Sequence, residues 1–196
     1  LMTTTTNNAS SVMVRLEELL QVRWPDLSVQ VTSVTDQWGG CALAGPNSRN
    51  LLTKIVDDPK EVSNDSLPFM GIKQVLMQNV PCYVARISFS GELAYEIYIP
   101  SDYAQSMMEF IWKNGQKFEC CLYGLEALGT MRIEKGHLTN AEIDGRVTIE
   151  DVGLSKMASS NKDYVGKVLK SGGRVISASP SIFEQIKGFT ETALNR

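Results

Sequence analysis

The sequence predicts an α+β fold, with antiparallel or mixed sheets and helices packed on them. Short strand-like runs follow one another across turn residues between positions 72 and 99, which favours antiparallel pairing. Amphipathic helical periods flank these runs instead of separating every strand from the next. No GxGxxG stands between a strand and a helix, so a doubly wound dinucleotide sheet is not encoded.

The opening Leu1-Met2-Thr3-Thr4-Thr5-Thr6 is β-branched and uncapped, and reads as a strand end in a piece of a longer chain. From Ser10 or Ser11, Val12, Leu16, Leu19 and Leu20 recur at helical spacing among Arg15, Glu17 and Glu18, which predicts a helix ending before Pro25. Val29, Val31 and Val34 nearly alternate with Gln30, Thr32 and Ser33, which predicts a strand over 29–34. Gly40-Cys41-Ala42-Leu43-Ala44 is a short apolar strand stopped by Gly45-Pro46, after which Asn47 or Ser48 can cap a helix through Ile55.

After Leu67-Pro68-Phe69-Met70-Gly71 come two predicted strands, 72–78 and 82–88, joined by Asn79-Val80-Pro81. A third, 95–99, follows a turn at Gly91. Ser101 caps a helix to about Lys113 whose Met107, Met108, Phe110, Ile111 and Trp112 make a broad buried face. A last helix, 124–135, stops at Gly136, where glycine takes the left-handed conformation that ends helices. Ile182, Phe183, Ile186 and Phe189 are spaced for one more helix in the tail.

A chain of 196 residues can bury one sizeable core or two small ones. Its net charge is −3 with scattered Lys and Arg, so the electrostatic footprint of a nucleic-acid binder is missing. Apolar runs break well before the ~18 residues that a membrane span needs, and no basic-then-apolar leader opens the chain. The reading is a cytoplasmic protein with neither nucleic-acid nor membrane partners. Cysteines at 41, 82, 120 and 121 form no CxxC, which suits buried free thiols in a reducing compartment. With His137 as the single histidine, no metal site is expected.

Chemistry centres on Phe89-Ser90-Gly91-Glu92-Leu93-Ala94-Tyr95-Glu96. Strand alternation puts Leu93, Tyr95, Ile97 and Ile99 on one face and Ala94, Glu96 and Tyr98 on the other. Glu96 reads either as a solvent-facing carboxylate on a half-buried sheet or as an anchor for a heteroaromatic ring. For the second, a carboxylate offers two parallel acceptors that suit the adjacent N–H donors of such a ring. Glu92 follows the turn, where steadying Gly91 through backbone bonds is the simpler role. Arg132, Glu134 and Lys135 end a helix, where local pairing and the helix dipole account for much of their presence.

The octapeptide, with Arg132-Ile133-Glu134-Lys135-Gly136-His137 further on, resembles the tetrahydrofolate-binding aminomethyltransferase family, glycine-cleavage T-protein-like. The branch it most resembles is that of the alpha subunit of heterotetrameric sarcosine oxidase. The likeness extends through Thr3 to Thr6, Trp24 to Leu27, Val31 to Trp38, Ala44 to Arg49, Leu67 to Gly71, Asp144 to Thr148, Asp151 to Leu154 with Lys156, and Lys162 to Lys167.

The resemblance implies a partial aminomethyltransferase domain over 1–170 and a divergent tail over 171–196. It implies tetrahydrofolate binding by Glu96, Phe89, Tyr95 and Glu92, with Phe89 where relatives usually carry a tyrosine. Leu128 stands where the wider family has a folate-contacting arginine, so the folate tail would be held differently. The family's catalytic aspartate is expected upstream, so no residue here is assigned a catalytic role. The implied reaction is oxidative demethylation of sarcosine with one-carbon transfer to folate. FAD, FMN and NAD would belong to the intact heterotetramer, bound by other subunits or domains and not by this chain. A stand-alone folate-binding module and a non-catalytic structural fragment remain alternatives.

Overall fold

In the computed structural model the chain divides into two compact units, Leu1–His137 and Leu138–Arg196. The structure describes residues 1–139, 142, 146–159 and 161. The resemblance segments at Asp144-Gly145 and Lys162 to Lys167, the tail 171–196 and the helix expected around Ile182 to Phe189 lie outside the described residues.

The first unit is built on a four-stranded antiparallel sheet, β1 (Trp38–Ala44), β2 (Ile72–Met77), β3 (Val80–Ala85) and β4 (Ala94–Pro100), in the order β1-β4-β3-β2. Helices α1 (Ala9–Glu18), α2 (Ser48–Ile55), α3 (Ala104–Gly115) and α4 (Leu125–Lys135) complete it, so the α+β class holds. β2, β3 and β4 form a meander; β1 then pairs with the open side of β4 and makes that strand internal.

Burial follows the two-residue period of a pleated sheet. In β4, Tyr95, Ile97 and Ile99 are buried while Glu96 and Tyr98 are half-buried. The buried face packs with Val75, Met77, Cys82 and Val84 against Leu51, Leu52 and Ile55 of α2 and Met107 and Ile111 of α3. At about 25 cal/mol per Å² of apolar surface, this core is the main stabilising term of the unit.

Several sequence expectations are corrected. The opening threonines form no strand: residues 1–5 lie outside regular structure, and a 3-10 turn, Thr6–Asn8, leads into α1. Residues 29–34 also lie outside the sheet, because no neighbouring strand offers them a ladder, and Val29 is exposed. α1 runs on through a π-helical turn, Leu19–Arg23, in place of regular α-helix.

The β2–β3 turn is two residues, Gln78 and Asn79, both at positive φ (53° and 62°), so Val80 and Pro81 belong to β3. Two left-handed residues match the twist of the flanking strands, as in a type I′ hairpin. Their N–H groups both donate to Asp57, each at 2.9 Å. β3 ends at Ala85, so 86–88 is connection and not strand.

Neither Asn47 nor Ser101 caps its helix by side chain; Ser48 Oγ instead bonds Leu93 O at 2.8 Å, tying α2 to the start of β4. A 3-10 turn, Ser101–Tyr103, precedes α3, whose buried stripe is narrower than predicted, with Met108 and Trp112 exposed. Cys82 is buried, yet Cys121 is exposed. α4 starts after Gly124 and ends at Gly136 as predicted.

The described part of the second unit is held by local bonds. Thr139 N and Oγ1 donate to Glu142, and Thr148 N and Oγ1 to Asp151, before a 3-10 turn, Ser155–Met157. Among the described residues no helix is long and apolar enough to cross a membrane.

Candidate functional site

Glu96 lies on the sheet face turned away from the core. Its cross-strand partners are Ala42 of β1, which is exposed, and Ala85 of β3, which is buried. Further along the same face, Tyr98 pairs with Gly40 and Tyr83. Trp38 and Tyr83 flank β4 on opposite sides, and their rings meet across it with centroids 5.3 Å apart. The result is a half-buried carboxylate with aromatic rings further along the same face.

The Tyr98 hydroxyl donates to Glu96 Oε2, and the Thr3 side chain lies beside Tyr98. Burial first, then the bond to the Glu96 carboxylate and its charge, push the Tyr98 phenol up to about 12, with Thr3 pulling it down. Tyr98 is therefore a phenol at neutral pH and a fixed donor. Glu96 Oε1 has no protein partner among the described residues. A carboxylate has about four acceptor sites, so Oε1 and the rest of Oε2 remain for a ligand's N–H donors.

The other sequence-predicted residues are placed differently. Tyr95 points into the core at 0% exposure, on the face opposite Glu96, with the Arg49 guanidinium 5.7 Å from its ring centroid. The Tyr95 hydroxyl is buried with no protein hydrogen-bond partner among the described residues. Glu92 is exposed, and the Gly91 turn is held by serines: Ser88 Oγ accepts from Gly91 N at 3.0 Å and Ser90 Oγ from Glu92 N at 3.4 Å.

Phe89, 43% exposed, lies in the 86–93 connection against the end of α4. Its carbonyl accepts from His137 Nδ1 at 2.9 Å, and the two rings sit 6.1 Å apart, tilted by 55°. Thus the structure brings Glu96 together with Tyr98 and Thr3, and Phe89 together with His137, while Tyr95 and Glu92 face elsewhere. A separate groove of about 400 Å³ lies between Glu17, Leu20, Gln21 and segment 29–32; none of the predicted site residues lines it.

Tyr98 was visible in the sequence by its i+2 spacing from Glu96. Trp38, Tyr83 and Thr3 carried no such local sign, because strand register and chain path bring them in.

The GCVT N-terminal domain family matches residues 1–162. The chain is 44% identical to sarcosine oxidase subunit alpha of Rhizobium meliloti (strain 1021) over 171 residues, which is 86% of this chain and 17% of that protein. It is 43% identical to sarcosine oxidase subunit alpha of Corynebacterium sp. (strain P-1), over 85% of this chain and 17% of that protein. With mitochondrial dimethylglycine dehydrogenase of Mus musculus the identity is 28%, over 76% of this chain and 18% of that protein. The chain thus spans about a sixth of the length of these relatives.

Proposed function

The chain belongs to the GCVT N-terminal domain family, and from that membership we propose that it carries the pteridine-recognition part of a tetrahydrofolate site. The observation that carries this reading is Glu96: half-buried, fixed through one oxygen by Tyr98, and set between Ala42 and Ala85 with acceptor capacity left over. These residues fit the group. A 2-amino-pteridine presents parallel N–H donors to a carboxylate, and the exposed Ala42 leaves room beside it.

In this reading Glu96 anchors the ring, Tyr98 holds the carboxylate in orientation, and Phe89 offers an apolar ring contact. Tyr95 supports β4 from beneath, where its buried ring fills the core, and Glu92 stays in solvent beside the turn. When bound, tetrahydrofolate supplies a nucleophilic nitrogen that accepts a one-carbon unit. The chain's part is to bind and orient it.

We further place the chain, as a domain over 1–170, within a larger cytoplasmic oxidoreductase that demethylates sarcosine or dimethylglycine. Flavin and nicotinamide groups would sit in its other domains or subunits. Identity above 40% to two sarcosine oxidase alpha subunits supports sarcosine over dimethylglycine.

Calorimetric titration of the chain with tetrahydrofolate, beside Glu96→Gln, tests the reading. Saturable binding is expected in the wild type, weakened by about 10- to 100-fold in the variant, the worth of a hydrogen bond to a charged group. A folded wild-type chain that binds nothing, or a variant that binds equally well, would overturn it.

A further inference from the structure

We infer that His137 is a positioning residue for the ligand wall that Phe89 supplies, an inference that rests on reading Glu96 and Phe89 as ligand contacts. Phe89 has no strand ladder to hold it, since β3 has ended at Ala85 and β4 begins at Ala94. The ends of the connection are fixed at Arg86 by Gly71 and Met70 and at Leu93 by Gly45 and Ser48, and serine side chains brace Gly91 and Glu92. The bond on the Phe89 carbonyl comes from His137, 48 positions later.

A carbonyl oxygen can only accept, so His137 Nδ1 carries the hydrogen. That donor is itself held in place. His137 N donates to Arg132 O at 2.8 Å, and Arg132 Nη1 returns a bond to His137 O at 3.1 Å. Gly136, at φ 81°, turns the chain so that the residue after α4 faces the connection. The end of α4 meets the same connection a second time, where the Lys135 side chain occupies the space that a Cβ on Gly91 would need. Two contacts from the end of α4 therefore meet the middle of a segment that lacks secondary structure, at Phe89 and Gly91.

The consequence for binding is preorganisation. A ring held before the ligand arrives does not pay its ordering entropy on contact, and that saving appears as affinity.

The test uses the whole chain in four forms: wild type, Glu96→Gln, His137→Leu and His137→Asn. The asparagine amide places an N–H near the position of Nδ1 without the ring. Each is titrated with tetrahydrofolate, and amide hydrogen exchange is followed at 86–93 and along β4. His137→Leu is expected to weaken binding about tenfold, the worth of one ordinary hydrogen bond with its ordering, and to speed exchange at 86–93 while β4 stays protected. His137→Asn is expected to restore most of both.

Unchanged exchange at 86–93 in His137→Leu would overturn the inference, as would equal affinity of wild type and His137→Leu. A loss of affinity that Asn does not rescue, with exchange undisturbed, would overturn it too. Failure of the underlying folate reading looks different: the wild type would not bind, or Glu96→Gln would bind normally. The exchange arm would still decide whether His137 holds Phe89.

Discussion

Tyr98 donates its hydroxyl hydrogen to Glu96 Oε2, two residues back on the same face of β4. This pairing turns an ordinary alternation of residues into a carboxylate of defined orientation. It also has a pH signature. The Tyr98 phenol is raised from 10.0 to about 12, first by burial and then by Glu96. A group whose folded value is raised binds its proton more tightly in the folded state, so its stabilisation is complete below about 10 and is lost as pH climbs to about 12. An absorbance titration at alkaline pH is expected to show a late tyrosine ionisation that Tyr98→Phe diminishes by one group, with stability falling through that window. Burial also raises Tyr123, so a late component of undiminished size in Tyr98→Phe would refute the assignment.

Gly91 and Gly136 both sit at positive φ (87° and 81°) but in different surroundings. A Cβ at Gly91 would lie 2.5–2.7 Å from Lys135 side-chain carbons, whereas one at Gly136 meets nothing within 4 Å. Gly136→Ala should therefore cost about 1 kcal/mol, the left-handed penalty alone. Gly91→Ala should cost about 2–3 kcal/mol, since strain and overlap add. Urea unfolding of the two variants measures this. Equal losses would mean that Lys135 moves aside freely.

Burial pushes the thiols of Cys41 and Cys82 up to about 11, and for Cys82 the neighbouring Cys41 and Asp57 add to the rise. At pH 8 a thiol of that acidity is about 0.1% thiolate, against about 10% for one at 9.0. Cys121 is exposed and Cys82 is not. Alkylation of the native chain, read by mass spectrometry, is expected to label Cys121 at least about 100-fold faster than Cys82. The difference should vanish in denaturant; similar native rates would contradict the packing of β3.

Asp57 accepts from both turn amides of the β2–β3 hairpin, Gln78 N and Asn79 N. Asp57→Ala should lower stability by about 1–2 kcal/mol by leaving two donors to solvent. Asn79→Gly should raise it by up to about 1 kcal/mol, because glycine takes φ 62° without a Cβ penalty. Thermal melts of the two variants should move in opposite directions. A melt for Asp57→Ala that matches the wild type would rule out a structural role for the pair.

Local chemistry made much of this legible from the residues. Gly136 announced the end of α4 because few other residues tolerate its conformation, and the β4 alternation assigned Tyr95 to one face and Glu96 to the other before any contact was known. The same reasoning failed at 29–34, where the pattern of a strand was present but no neighbour supplied hydrogen bonds. It also placed the β2–β3 turn late, since Val80-Pro81 looks like a break until the positive φ of Gln78 and Asn79 closes the hairpin first.

By itself, then, the sequence determined the α+β class, the type of most elements, the face on which Glu96 stands and the motif that relates the chain to its family. Only the tertiary structure decided that β1 adds to the far side of β4, that Ala42 and Ala85 flank Glu96, and that His137 reaches Phe89. The physical reason is range. Dihedral preferences and alternation act over a few residues and are written locally, whereas strand order and a bond across 48 positions are set by which long loop closures the packed core repays.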